Sequence, residues 1–121
     1  MGRLTTHILD TGTGKPAAGV AISLFAISAA GRRRIADVKS NADGRVDGPI
    51  AEGDGFQAGE YELVFEMGPY FDSQFETLGL SLPDPKFLDT VVLRFGIAAA
   101  DQHYHVPLLV SPYGYSTYRG S

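Results

Sequence analysis

The sequence predicts an all-β sandwich carrying one short helix. Three observations lead there. Hydrophobicity alternates with a period of two through nearly every apolar stretch, and clusters of Gly, Pro, Asn and Asp separate those stretches at regular spacing. Only one segment carries apolar residues at helical spacing. About seven or eight short strands joined by tight turns bury their apolar faces most simply as two packed sheets.

Residues 4–9 form the first strand candidate, closed by Thr11-Gly12-Thr13-Gly14-Lys15-Pro16. Residues 20–27 follow, with Val20, Ile22 and Leu24 on one side, and then residues 34–39. In Asn41-Ala42-Asp43-Gly44 the polar side chains bond their own backbone and glycine supplies positive φ, so the chain reverses there. Gly53-Asp54-Gly55 is a second such punctuation. Residues 60–67 are the clearest strand, with Tyr61, Leu63, Phe65 and Met67 on one face and Glu60, Glu62 and Glu66 on the other. Phe71, Phe75 and Leu78 fall at i, i+4 and i+7, which predicts two to three helical turns lying across a sheet edge, with Gly79 as the stop. After Pro83-Asp84-Pro85, residues 88–95 are apolar and β-branched. Residues 104–110 and 115–119 complete the set. Pro107 removes a ladder donor, so its strand is expected to be an edge or to carry a bulge.

Composition bounds the function. A chain of 121 residues is expected to form a single domain, 1–121, with one core. A net charge of −4 gives no reason to expect nucleic acid, whose phosphates demand a basic face. The one basic run, Arg32-Arg33-Arg34, reads as a solvated strand edge. The chain has no cysteine, which excludes disulfides and thiolate chemistry and leaves the redox compartment open. No stretch approaches the roughly 18 apolar residues of a membrane span, and the first residues lack a secretory pattern. The expectation is a cytoplasmic protein that does not bind membranes.

Chemistry concentrates in a few residues. His103 and His105 are two apart on one strand, so both imidazoles project from the same face. With His7 they could form a three-histidine zinc site, or one could serve as general base near neutral pH. Arg45 stands just past a turn. It either caps a hairpin on the surface, with Asp37, Asp43 and Asp47 at hand to neutralise it, or presents a planar fork to a carboxylate or enolate oxygen. The last six residues, 116–121, lie a short connection behind an apolar strand, close enough to a core to bring a phenol, a guanidinium and a hydroxyl into one space.

Leu4-Thr5-Thr6-His7-Ile8-Leu9-Asp10-Thr11 with Gly14-Lys15-Pro16-Ala17, then Asp43-Gly44-Arg45, resembles the transthyretin-like 5-hydroxyisourate hydrolases. The closest match is the run from His103 through Pro107, Ser111-Pro112-Tyr113 and Ser116-Thr117 to Tyr118-Arg119-Gly120-Ser121, and the similarity spans essentially the whole chain. The resemblance implies a sandwich of two four-stranded sheets with one short helix. It also implies a homotetramer, a dimer of dimers, with sites in a channel between dimers. The activity it implies is ring-opening hydrolysis of 5-hydroxyisourate without metal or organic cofactor. The family's functional positions fall on His7, Arg45, His105 and Ser121, with Tyr118 positioning substrate and His103 and Arg119 in supporting roles. The competing expectation is a non-catalytic transthyretin-like carrier, which would be expected to line the same channel with aliphatic side chains. His7, Arg45, His105 and Arg119 would make it polar instead.

Overall fold

Strand β1 (Arg3–Asp10) alternates as its sequence demands: Leu4, Thr6, Ile8 and Asp10 are buried, while Thr5, His7 and Leu9 on the other face are partly open. The remaining elements follow in chain order as β2 (Lys15–Pro16), β3 (Ala21–Ser28), β4 (Gly31–Lys39), β5 (Ala51–Glu52), β6 (Gly59–Glu66), α1 (Gly68–Thr77), β7 (Thr90–Ile97), β8 (His103–Ser111) and β9 (Gly114–Thr117). The structure is a computed structural model and describes residues 2–120.

Two sheets face each other. One has the order β2-β1-β8-β9, with β5 also paired to β1; the other has the order β4-β3-β6-β7. The first sheet therefore has five strands where the sequence led us to expect four. The reason is geometric: β5 pairs with Arg3 and Leu4, while β2 pairs with Leu9 and Asp10, so the two short strands share one edge of β1 end to end. At no level is the sheet wider than four strands. β1 and β8 run parallel, and every other pairing is antiparallel.

The core lies between the sheets. Leu4 and Ile8 of β1 and Val106, Leu108 and Val110 of β8 are buried on one side, with Ile22, Leu24, Leu63, Phe65, Val91 and Leu93 on the other. Burial of this set removes apolar area from water at roughly 25 cal/mol per Å². Strand β4 is an edge strand whose Arg32, Arg33 and Arg34 are exposed. Arg32 pairs with Glu62, Arg34 with Asp37, and both guanidiniums lie over the Phe25 ring.

Helix α1 forms with Pro69 in its first turn, where a missing N–H costs nothing, and Gly79 follows it at φ 71°. Its expected apolar stripe is only partly used: Phe71 is buried, Phe75 half-buried, and Leu78 is 70% exposed. The helix sits against the end of the first sheet, not across a strand edge. Tyr70 donates its hydroxyl to Asp10 Oδ2 at 2.8 Å, and Asp10 Oδ1 accepts the backbone N–H groups of Gly12 and Thr13. One buried carboxylate thus ties helix to turn.

Pro107 does not lie on an edge strand, because β8 has neighbours on both sides. On the β9 side its partner position is Tyr118, and there the ladder stops at Thr117. No register shift accompanies the break. Leu108 pairs with Thr117, and three residues further out along the same register His105 pairs with Gly120. The proline deletes one donor from the ladder, while its own carbonyl accepts the Thr117 hydroxyl at 2.7 Å.

Candidate active site

The outer face of the first sheet carries most of the chain's candidate chemistry. Parallel register sets Arg3 beside His103, Thr5 beside His105 and His7 beside Pro107. Side chains of alternate residues share a face, so Thr5, His7, His103 and His105 all project away from the core.

Arg45 reaches this face through its turn. Asn41 Oδ1 accepts the N–H groups of Asp43 and Arg45, and the Arg45 carbonyl accepts the Asn41 N–H at 2.7 Å. Ile8 N–H then donates to the Gly44 carbonyl at 2.9 Å, which lays the turn along the free edge of β1. Gly44 is required: its φ is 72°, and a Cβ there would come within 2.5 Å of the Ile8 carbonyl oxygen. The result is a bridge between His7 and Arg45. The three acids that could have neutralised Arg45 do not. Asp37 pairs with Arg34, Asp47 accepts from Asn41, and among the described residues Arg45 makes no ion pair. Its fork stays available.

Arg45, His103, His105, Tyr118 and Gly120 line one cavity of about 560 Å³, together with Arg3, Thr5, Thr6 and the 46–49 segment. His7 is not among the lining residues; it stands one step along the same face, against Arg45. Burial is the main reason that both His7 and His105 are held below the ordinary imidazole pKa, and the positive charge of Arg45 comes next. For His105 the neighbouring His103 and His7 push the same way; for His7 the main chain and carboxylate of Asp43 pull back. Both rings are therefore held neutral, with lone pairs available near neutral pH.

The tail closes the site from the side. Gly120 N–H donates to the His105 carbonyl at 2.7 Å, and a Cβ on Gly120 would sit 2.7 Å from Cδ2 of the His105 ring. Gly120→Ala is therefore expected to displace the imidazole. It should lower turnover about ten- to a hundredfold, as an ångström of misplacement does, with little change in melting temperature. Wild-type turnover in that variant would show that the ring does not need its present position. Tyr118 is 60% exposed and faces the cavity, whereas Arg119 turns to the other face. Its guanidinium lies 3.9 Å from the Tyr104 ring centroid and donates to Gln102 Oε1 and the His103 carbonyl. It holds backbone and does not enter the cavity. Ser121 lies outside the described residues.

Among the described residues no three His, Cys, Asp or Glu side chains converge as a zinc site requires. Thr5 Oγ1 instead lies 2.8 Å from Nε2 of His103 and 2.8 Å from Nδ1 of His105. Sequence reasoning missed Thr5 and Arg3. The period of two places both on the face of His7, but only the pairing of β1 with β8, about a hundred residues away, brings Thr5 to the histidines.

The sequence profile of the HIUase/Transthyretin family matches residues 4–120. The chain is 62% identical over 120 residues to 5-hydroxyisourate hydrolase 2 of Rhizobium meliloti (strain 1021), covering 99% of this chain and 97% of that one. Its fold superposes on the 5-hydroxyisourate hydrolase of Klebsiella pneumoniae with a TM-score of 0.77, at 35% identity and full coverage of both chains. It also superposes on (S)-allantoin synthase with a TM-score of 0.90 and 46% identity, covering 99% of this chain and 44% of that longer one. No helix among the described residues is long and apolar enough to cross a membrane.

Proposed function

The chain belongs to the HIUase/Transthyretin family, and from that premise we propose that it is a 5-hydroxyisourate hydrolase of urate breakdown. The observation that carries this reading is a cavity that joins the neutral imidazole of His105 to the Arg45 guanidinium, which makes no ion pair among the described residues, with the neutral His7 against Arg45. Hydrolysis of a cyclic amide needs an activated water, a cation for the developing oxyanion, and a proton for the departing nitrogen. His105 lines the cavity, so it is the group to take a proton from water. The hydroxide so formed adds to the ring carbonyl, and Arg45 holds the oxygen on which negative charge grows. The carbon–nitrogen bond then breaks, the nitrogen takes up a proton, and a carboxylate forms, which gives 2-oxo-4-hydroxy-4-carboxy-5-ureidoimidazoline. His7, beside Arg45, orients the water or returns the proton. Tyr118 supports the planar ring, and Ser121 supplies a hydroxyl as the family resemblance implies. None of these steps calls on a metal or an organic cofactor.

The carrier alternative fits the cavity poorly. An apolar ligand would face Arg3, Arg45, His103 and His105, whose polar groups it could not satisfy.

A homotetramer, a dimer of dimers, and a cytoplasmic location belong to the same proposal. Free sheet edges support assembly: among the described residues β9 and β7 each lack an outer neighbour, and all four residues of β9 are exposed. The cavity opens on the outer face of the sheet, where a second copy would close it. Sedimentation at micromolar protein should give four times the chain mass; a monomer would refute the assembly.

The test of the activity is the decay of freshly generated 5-hydroxyisourate, followed spectroscopically at micromolar protein. The protein should clear it well above the buffer rate. A decay curve superimposable on buffer alone would overturn the hydrolase reading.

A further inference from the structure

One contact on this face has no part in the scheme above. Thr5 Oγ1 sits between two imidazoles whose ring centroids are 6.4 Å apart, at hydrogen-bond distance from one nitrogen of each. A threonine hydroxyl has one proton and two lone pairs. It can donate to only one of the two rings, so the other ring must donate to it. The tautomers of His103 and His105 are therefore set together.

The orientation of the pair follows from which nitrogens are used. The hydroxyl engages Nδ1 of His105, which leaves Nε2 of that ring as its only other nitrogen. If Nδ1 carries the proton and donates to Oγ1, Nε2 holds a lone pair, and the Thr5 proton points at Nε2 of His103. That arrangement is the one a base needs.

We propose that Thr5 is a positioning residue that holds His105 in its Nδ1–H tautomer and relays a proton from His105 to His103. The inference rests on the hydrolase reading and deepens it. When Nε2 of His105 takes a proton from water, its Nδ1 proton passes to Thr5 Oγ1 as the Thr5 proton passes to Nε2 of His103. Thr5 ends unchanged, His105 ends neutral with its proton on Nε2, and His103 becomes the imidazolium. The reverse shift restores Nδ1 as Nε2 gives its proton to the departing nitrogen, so no proton is left over. Arg45 from the 41–45 turn disfavours a cation on His105, while Arg3 stands beside His103 in the parallel register and Arg119 donates to the His103 carbonyl. The hydroxyl bridge therefore shares the added charge between the two rings and does not leave it on His105 against Arg45.

Thr5→Val keeps a β-branched residue in the strand and removes the hydroxyl, while Thr5→Ser keeps the hydroxyl. On the full-length protein, Thr5→Val should lower kcat about ten- to a hundredfold, as loss of a partner that orients a histidine does, with KM within about twofold of wild type. Thr5→Ser should recover to within about threefold of wild-type kcat. Equal kcat in wild type and Thr5→Val, or equal loss in Thr5→Val and Thr5→Ser, would overturn the relay. Nitrogen NMR of the wild-type histidines reads the same claim without turnover. His105 should titrate from the Nδ1–H form, and a neutral Nε2–H form would overturn the assignment. Because that spectrum needs no substrate, failure of the hydrolase reading and failure of the Thr5 inference remain distinguishable.

Discussion

Replacing His105 with Asn is expected to lower turnover at least about a hundredfold, the lower end of what a general acid–base group contributes. That corresponds to about 2.7 kcal/mol of transition-state stabilisation. The fold should survive, because His105 is only partly buried and its ring lies on the outer face of the sheet. The strand beneath is held by the parallel ladder to β1 and by the Gly120 contact, which uses backbone atoms alone. A folded variant, checked by circular dichroism, with near-normal kcat would remove His105 from the mechanism. His7→Asn offers a useful contrast. It touches Arg45 and does not line the cavity, so its loss should tell on both KM and kcat.

Arg45→Gln is the second large effect. Removing a single preorganised donor to a developing oxyanion costs about a hundred- to a thousandfold in kcat, or about 2.7–4 kcal/mol. Stability should be unaffected, since Arg45 is exposed and makes no ion pair among the described residues. Arg45→Lys should fall between the two, because an ammonium keeps the charge and loses the planar fork. The same substitution carries a second signature. Arg45 depresses the pKa of both His7 and His105, so its removal should let both rise toward the ordinary imidazole value. The acid limb of the rate profile would then move to higher pH. Wild-type rates in Arg45→Gln would mean that the oxyanion is held elsewhere.

Much of this fold was legible from periodicity. Tyr61, Leu63, Phe65 and Met67 are buried together, as alternation required, and β1, β3, β7 and β8 lie within a few residues of their expected bounds. The misreadings share a cause. Glu62 does lie on the face opposite Leu63 and Phe65, yet it is only 9% exposed, because Arg32 and Arg94 from flanking strands close over it. Leu78 fits a helical stripe and still points to water, since α1 packs against the end of a sheet and needs only its first turns. Strands β2 and β5 are two residues long, too short to show any period. The last strand was expected to run to residue 119 and stops at Thr117, where Pro107 across the ladder has no N–H to give.

The site was legible residue by residue and not as an arrangement. Histidines two apart on a strand announce a shared face, and a turn signal before Arg45 announces an anchored backbone. That Arg45 would bridge His7 depends on a turn laid along the far edge of β1. That a threonine would sit between two imidazoles depends on parallel register between the first and eighth strands. Neither pairing leaves a local trace. Arg119 shows the converse: its place in the motif suggested the cavity, while strict alternation from Gly120 turns it to the Tyr104 face.

The central claim is that a neutral imidazole beside the Arg45 guanidinium drives the hydrolysis. A base must be unprotonated to act, and both His7 and His105 have pKa values lowered from 6.5. Lowering extends the neutral form to more acidic pH, so activity should persist through pH 6.5 and fall only below it. The decisive measurement is kcat/KM for freshly made 5-hydroxyisourate, corrected for its spontaneous decay, from about pH 5 to 8. The expected result is a plateau at neutral pH and an acid limb with its midpoint below 6.5. A flat profile across that range, or a limb centred above 6.5, would contradict it.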